Sequence, residues 1–162
     1  MVVILSLKVQ TEFEKAKKYA FLLLKFRIRS KQELTLRLKK KGFKFIEINN
    51  VVDFLTDLGY IDDFKFAKTW ISSRLNSKPC GKKLLVYELR QKGVAPQIIN
   101  DLVSKIDTEQ EYQRAEKAAL QRLKKLQLTD SQVKLKIKLF AYLARRGFPR
   151  ELITLVIGKL PL

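Results

Sequence analysis

The sequence offers few of the side chains on which catalytic and metal sites are usually built. It contains no histidine among its 162 residues, so the commonest general base and the commonest metal ligand are both missing. Its single cysteine, Cys80, excludes an intramolecular disulfide and a cysteine-based zinc site. We therefore expect no catalytic residues, no metal and no cofactor.

Three short patterns have a chemical and a structural interpretation. Asp62 and Asp63 are adjacent carboxylates, but acids directly before an apolar helical pattern are typical of a helix cap and its first turn. The sequence Gly81-Lys82-Lys83 resembles part of a phosphate-binding loop but lacks its upstream glycine. Trp70 could stack on a base, but its helical spacing from Phe66 favours a place in the core. For Asp62, Asp63 and Trp70 we predict the structural role.

The charge balance is the strongest chemical signal. Lys and Arg number 34 against 16 Asp and Glu, a net charge of +18 with a pI near 10.1. Such an excess indicates a polyanionic partner: nucleic acid, a nucleoprotein assembly, an anionic membrane face or an acidic protein surface. No stretch approaches the roughly 18 apolar residues of a membrane span, and the apolar residues 2–5 are too short for a signal peptide. We expect a cytoplasmic protein with no membrane contact.

An internal repeat predicts the elements that position these charges. Three segments align on Gly42, Gly93 and Gly147, which lie 51 and 54 residues apart. Each glycine follows a basic residue, and leucines lie eight and four positions before it, on one helical face: Leu34 and Leu38, Leu85 and Leu89, Leu139 and Leu143. We predict that each glycine ends a helix in the left-handed conformation, where the basic residues complement the helix dipole.

A second helix is predicted after each glycine. Apolar residues follow it in an i, i+3, i+4, i+7 pattern: Ile48, Val51, Val52, Leu55; Ile99, Leu102, Val103, Ile106; and Ile153, Val156, Ile157, Leu160. Pro96 and Pro149 suit the first turn of two of these helices. A further helix precedes each pair, over residues 14–27, 63–74 and 109–125. Capping residues are predicted at Thr11 and Thr108, each with Glu three positions later, at Ser30 before Glu33, and at Asp62.

The chain is thus predicted to be all-α, with three tandem three-helix repeats in an elongated, curved, solenoid-like array. Their ranges are 12–56, 57–107 and 108–162, after a short extended N-terminal arm over 1–11. Repeats of about 50 residues are marginal alone, so we expect neighbours to pack together. The net charges of residues 1–56, 57–107 and 108–162 are +8, +3 and +7, which favours contact with polyanion through the outer repeats.

Four ordered blocks of the sequence resemble the bacterial RecX family of regulatory proteins. Residues 22–34, LLLKFRIRSKQEL, are similar to the opening of that family, and residues 58–67, LGYIDDFKFA, to its central block. Residues 81–94, GKKLLVYELRQKGV, and the RRGF at 145–148 resemble its last two blocks. A lysine at Lys82 or Lys83 stands where the family often has arginine, and the N-terminal extension is short. The blocks themselves lie between residues 22 and 148, and we take the resemblance to cover residues 16 to 160.

The resemblance implies a non-catalytic modulator of the RecA recombinase. Such a protein binds the groove of the RecA–DNA filament as a monomer, with weak direct DNA binding. It restrains ATP hydrolysis, strand exchange and the co-protease role of the filament in the SOS response. A direct DNA-binding protein of the helix-turn-helix type is the alternative, although the presumed recognition faces lack an obvious set of side chains for base edges.

We predict that the contacts to filament or DNA come from basic residues near helix ends. Lys39, Lys40 and Lys41 are favoured in the first repeat, and Arg145 and Arg146 in the third. A solvated helical face is the ordinary role of a single lysine, and dipole complementarity alone explains the basic residue before each glycine. The full set of candidates is Arg27, Arg29, Lys39, Lys40, Lys41, Lys82, Lys83, Arg90, Lys92, Arg145 and Arg146.

Overall fold

The computed structural model describes residues 11–126 and 131–161, in which it contains nine α-helices and no strand. The helices are α1 Glu12–Phe26, α2 Lys31–Lys41, α3 Phe45–Asp57, α4 Asp63–Ser77, α5 Lys82–Gln91, α6 Pro96–Ser104, α7 Thr108–Leu123, α8 Gln132–Arg145 and α9 Arg150–Gly158. The predicted all-α fold with three helices in each repeat is confirmed. The predicted extended arm falls largely on residues 1–10, outside the described residues. No helix of the described part is both long and apolar enough to span a membrane.

The chain divides into two compact units, and the boundary lies inside α4, between Phe66 and Ala67. In the first unit, α1, α2 and α3 surround one core, to which the residues before α4 contribute Ile61. The buried residues of this core are Ala16, Ala20, Leu34, Leu38, Ile48, Val51, Val52, Leu55 and Ile61. The predicted leucine pair of α2 and all four predicted positions of α3 are therefore buried.

The second unit contains the remainder of α4 and helices α5 to α9. Its leucine pairs on α5 and α8 are fully buried, as the repeat predicts. On α6 and α9 the predicted stripe is buried except at Leu102, which is half-buried. The last predicted positions, Ile106 and Leu160, are also half-buried and lie just beyond the ends of the two helices. The second and third repeats share contacts extensive enough to form one unit.

The three aligned glycines all adopt the predicted left-handed conformation. Their φ angles are +99° at Gly42, +73° at Gly93 and +80° at Gly147, a region that side chains with a Cβ rarely occupy. The Gly42 N–H donates to the carbonyl of Lys39, and the next N–H, of Phe43, reaches Leu38, so the last turn of α2 has its carbonyls satisfied.

Most predicted helix starts are confirmed. Thr11, Ser30 and Asp62 each accept a backbone N–H three residues later, at 3.2, 3.1 and 2.9 Å. Pro96 is the first residue of α6, whereas Pro149 is the cap residue just before α9.

The predicted capping box at Thr108 is wrong. Asp107 caps α7 instead, through a 2.8 Å bond from the Glu109 N–H. A carboxylate accepts this bond more readily than a hydroxyl, and the Glu111 side chain that would complete the box points elsewhere.

Candidate polyanion-binding surface

The C-terminal end of α2 concentrates exposed positive charge in the first unit. Lys39, Lys40 and Lys41 occupy its last turn, where the partial negative charge of the helix end favours cations. All three are exposed. The Lys41 ammonium lies 5.6 Å from the centre of the Tyr19 ring, a cation–π contact, while Lys39 and Lys40 have no partner among the described residues. The Lys39 and Lys40 side chains are therefore free to contact an external anion.

The two arginines before α2 have structural contacts. Arg27 forms a two-pronged ion pair with Glu33, with Nη–Oε distances of 2.8 and 3.2 Å. Arg29 is only 9% exposed, and its Nε donates to the carbonyl of Leu23 near the end of α1. Burial, with repulsion from Arg27 and Arg37, lowers the pKa of Arg29. These contacts favour a role in joining α1 to α2, and direct polyanion contact by either arginine stays a prediction.

In the second unit, the start of α5 packs against the turn between α8 and α9. The Gly81 N–H donates to the Arg146 carbonyl at 2.9 Å, and the Lys83 N–H donates to the Gly147 carbonyl at 3.1 Å. A Cβ at Gly81 would overlap the backbone of Gly147 and Phe148, so only glycine fits this approach. The contact joins the second repeat to the third. The side chains of Lys83 and Arg145, on either side of it, are exposed.

Arg146, Lys92 and Lys82 are held by neighbouring groups. The Arg146 Nη1 donates to the Pro79 carbonyl at 3.2 Å, and its guanidinium lies 5.0 Å from the Tyr142 ring centre. The Lys92 ammonium lies 4.3 Å from the Trp70 ring centre. The Lys82 Nζ lies 3.7 Å from a carboxylate oxygen of Glu111.

Trp70 is half-buried and takes part in a polar cluster. Its indole N–H donates to the Glu88 carboxylate at 2.9 Å, and Arg74 binds both oxygens of the same carboxylate. This hydrogen bonding raises the pKa of Arg74. Trp70 is therefore less buried than a core position predicts. Since Lys92 covers its ring, the tryptophan is not presented as an open stacking platform either.

The candidate residues thus fall into two groups. Five are exposed and form no ion pair within the described ranges: Lys39, Lys40, Lys83, Arg90 and Arg145. The other six contact the folded chain: Arg27, Arg29, Lys41, Lys82, Lys92 and Arg146. The sequence pattern does not separate these groups, because it does not record which helix end is packed. It favours Lys41 and Arg146, which contact the folded chain, together with Lys39, Lys40 and Arg145, which are exposed.

Two carboxylates connect helices in a way that the sequence pattern does not reveal. Asp63, in the first turn of α4, accepts the N–H of Lys31, the first residue of α2, at 2.8 Å. Glu111, in the first turn of α7, accepts the N–H of Lys82, the first residue of α5, at the same distance. In both cases an acid of the next repeat satisfies the start of a middle helix. From the sequence one sees only that both acids lie in the first turn of a helix, and not which neighbouring helix they contact.

The two aspartates therefore have the structural role predicted for them, although Asp63 does not serve its own helix. Partial burial raises the pKa of Asp63, despite the bond from Lys31. No cluster of three or more metal-binding side chains lies within residues 11–126 and 131–161. Cys80 is buried, and its burial raises the pKa of the thiol, so the thiolate is disfavoured.

Sequence comparison matches the chain to one family along most of its length. The first, second and third three-helix domains of RecX match residues 16–55, 62–102 and 109–157 respectively. These ranges lie inside the three predicted repeats, whose exact boundaries stay predictions.

Individual relatives give the same result. The chain is 37% identical to the regulatory protein RecX of Mycobacterium sp. (strain KMS) over 142 residues, covering 86% of this chain and 78% of the relative. It is also 37% identical to the RecX of Pelodictyon phaeoclathratiforme, covering 80% and 79% of the two chains.

The fold is likewise that of solved RecX structures. The crystal structure of RecX from Lactobacillus salivarius superimposes with a TM-score of 0.80 at 21% identity, covering 92% of this chain and 96% of that one. A second crystal structure of a regulatory protein RecX gives a TM-score of 0.85 at 20% identity, over 91% and 74% of the two chains. With all three of its three-helix domains matched, the chain belongs to the RecX family of regulatory proteins.

Proposed function

We propose that this protein regulates the RecA recombinase by binding the RecA–DNA filament. Bound there as a cytoplasmic monomer, it lowers ATP hydrolysis, strand exchange and the co-protease activity that triggers the SOS response. Its membership of the RecX family across all three helical domains carries this proposal. Family members are regulators rather than enzymes, consistent with a sequence that has neither histidine nor a nucleophile–base pair.

The charge distribution supports a filament as the partner. A nucleoprotein filament presents DNA phosphates and protein surface in one groove, and exposed cations at the ends of α2, α5 and α8 suit the phosphates. Lys39 and Lys40 are the favoured pair because they are adjacent in the last turn of α2, are exposed and form no ion pair in the described ranges.

The test is to titrate the protein, up to an equimolar ratio, into cognate RecA assembled on single-stranded DNA. We expect ATP hydrolysis and strand exchange to fall, while the protein alone hydrolyses neither ATP nor DNA. Unaltered RecA activity at molar excess, with filaments confirmed by microscopy, would contradict the proposal. Binding to naked DNA with equal affinity at matched salt would favour the DNA-binding alternative.

A triple variant tests where the charge acts. Replacing Lys39, Lys40 and Lys41 by Ala is expected to flatten the salt dependence of filament binding by about 2 to 3 in logarithmic slope, at 0.7 to 0.9 per lost phosphate contact. Loss of the contact with Tyr19 costs at most about 1 kcal/mol of folding stability.

The matched control replaces Lys124, Lys125 and Lys134, which are also exposed, by Ala. If the control flattens the slope equally, binding responds to net charge, and the end of α2 has no special role.

A further inference from the structure

A second basic feature lies in the second unit and is formed by residues other than the predicted candidates. The last turn of α4, the linker that follows it and the outer side of α7 enclose a cleft of about 290 Å³. Its polar lining consists of Asn76, Ser77, Lys78, Arg114, Lys117 and Gln121, together with two apolar neighbours. Three of these side chains are cations and none is a carboxylate.

The three cations of this cleft lack the ion pairs found nearby. Arg74, one turn earlier on α4, is paired with Glu88 at 2.6 Å, and Lys82 has Glu111 within 3.7 Å. Within the described ranges, Lys78, Arg114 and Lys117 form no ion pair. Three uncompensated charges around one concavity repel each other, so an anion bound among them would lower the free energy of the site.

Arg114 shows an additional unmet interaction. Its Nε is shielded from solvent and has no hydrogen-bond partner among the described residues. A buried donor without an acceptor costs free energy, and a guanidinium is well suited to share two N–H groups with one oxyanion. An oxyanion in the cleft would supply that acceptor if the Arg114 side chain turned its Nε toward the opening.

The walls of the cleft are held in place without any ligand. The Lys78 N–H donates to the Arg74 carbonyl at 3.2 Å, and the Arg146 Nη1 holds the Pro79 carbonyl at the same distance. The bond from Gly81 to the Arg146 carbonyl fixes the far end of the linker. A cleft that is already ordered loses little conformational entropy when a ligand binds.

We propose that this cleft binds a phosphate group, and that the phosphate belongs to the backbone of single-stranded nucleic acid. Each backbone phosphate carries a negative charge shared by two non-bridging oxygens, which can accept from the cations and from the amides of Asn76 and Gln121. The apolar lining residues, Leu75 and Pro79, offer a surface for the adjoining sugar. The site does not depend on RecA, so its test is independent of the proposed function.

The test measures binding of a fluorescent oligothymidylate to the full chain, without RecA, over a range of salt concentrations. The variant K78Q/K117Q is expected to reduce affinity by at least about tenfold at low salt and to lower the logarithmic salt slope by about 1.4, for two lost contacts to a single strand. The control K124Q/K125Q removes the same charge from exposed positions just beyond the C-terminal end of α7. Equal losses in both variants, or no loss in K78Q/K117Q, would overturn the proposal.

A second measurement locates the ligand and identifies its source. The backbone amide NMR signals of Ser77 and Lys78 are expected to shift with oligothymidylate at a much lower concentration than with inorganic phosphate at equal ionic strength. Equal or tighter binding of inorganic phosphate would support a phosphate site and overturn the assignment to a nucleic acid backbone. Shifts with neither would overturn the site itself.

Discussion

The first and third repeats contain the same turn in different surroundings. Lys41-Gly42-Phe43 and Arg146-Gly147-Phe148 both leave a helix through a left-handed glycine, with φ of +99° and +80°. Around Gly42 the space is open, and Phe43 is half-buried. Gly147 is buried against the start of α5, and Phe148 is 2% exposed.

This difference changes what the basic residue before the glycine can do. Lys41 remains exposed at its turn, where its ammonium lies near the ring of Tyr19. Arg146 is half-buried, and both its side chain and its carbonyl hold the linker before α5. One motif therefore serves as a free helix end in the first repeat and as part of a joint in the third, where the Arg146 side chain is held while Lys41 stays exposed.

The largest expected effect on folding stability comes from replacing the glycines of these two turns by alanine. The two variants distinguish the cost of the backbone conformation from the cost of crowding. G42A is expected to cost about 1 to 2 kcal/mol, because alanine is strained at positive φ but meets no neighbour. G147A adds overlap with the backbone of Leu84, which raises the expected cost to about 3 kcal/mol or more. The measurement is the free energy of unfolding in urea.

The variant G81A provides the control for crowding alone. Gly81 has φ of −93°, which alanine adopts freely, but its Cβ would overlap Gly147. G81A is expected to fall between the other two variants. Equal costs for G42A and G147A would mean that the contact between Gly147 and the start of α5 shifts to make room for the added methyl group. The two turns would then differ less than their packing indicates.

The repeat predicted the helices, the left-handed glycines and most buried positions, because these follow from local chemistry and periodicity. It did not predict the close approach of Gly81 to Gly147, which depends on residues 66 positions apart. For the same reason the sequence treats Arg146 and Lys41 as equivalent. The cleft around Arg114 was also missed, since its cations come from the linker after α4 and from α7 and share no motif.

The next effect concerns the carboxylate at the joint itself. Glu111 is 3% exposed and accepts the Lys82 N–H. E111A leaves that donor buried without an acceptor and is expected to cost about 1 to 3 kcal/mol. E111Q retains an oxygen at the same place, so its cost in urea unfolding is expected to be less than half as large. If E111Q is as damaging as E111A, the charge beside the Lys82 ammonium is the important feature rather than the hydrogen bond.

The smallest effect is expected at Asp63, the counterpart of Glu111 in the first unit. Asp63 also accepts an N–H, from Lys31, but water can replace it because the site is only partly buried. D63A is therefore expected to cost about 1 kcal/mol, near the ordinary value of one hydrogen bond. The comparison of D63A with E111A tests whether the deeper burial of Glu111 makes its loss more costly to folding stability. Equal costs would show that burial does not matter here.

The variant D63N tests the charge of Asp63 by itself. We expect the difference in folding stability between D63N and the unmodified protein to depend on pH. Burial raises the pKa of Asp63 in the folded state, so folding favours its protonated form, and the ionised form opposes folding above that pKa. Asparagine keeps an oxygen for the Lys31 N–H without the charge. We expect D63N to be at least as stable as the unmodified protein at pH 7, with an advantage that disappears as the pH falls through the pKa of Asp63 and the carboxylate is protonated. Urea unfolding of both proteins across this pH range measures the difference. An advantage that grows toward acid would mean that the ionised carboxylate stabilises the fold, and that its bond to Lys31 outweighs its burial.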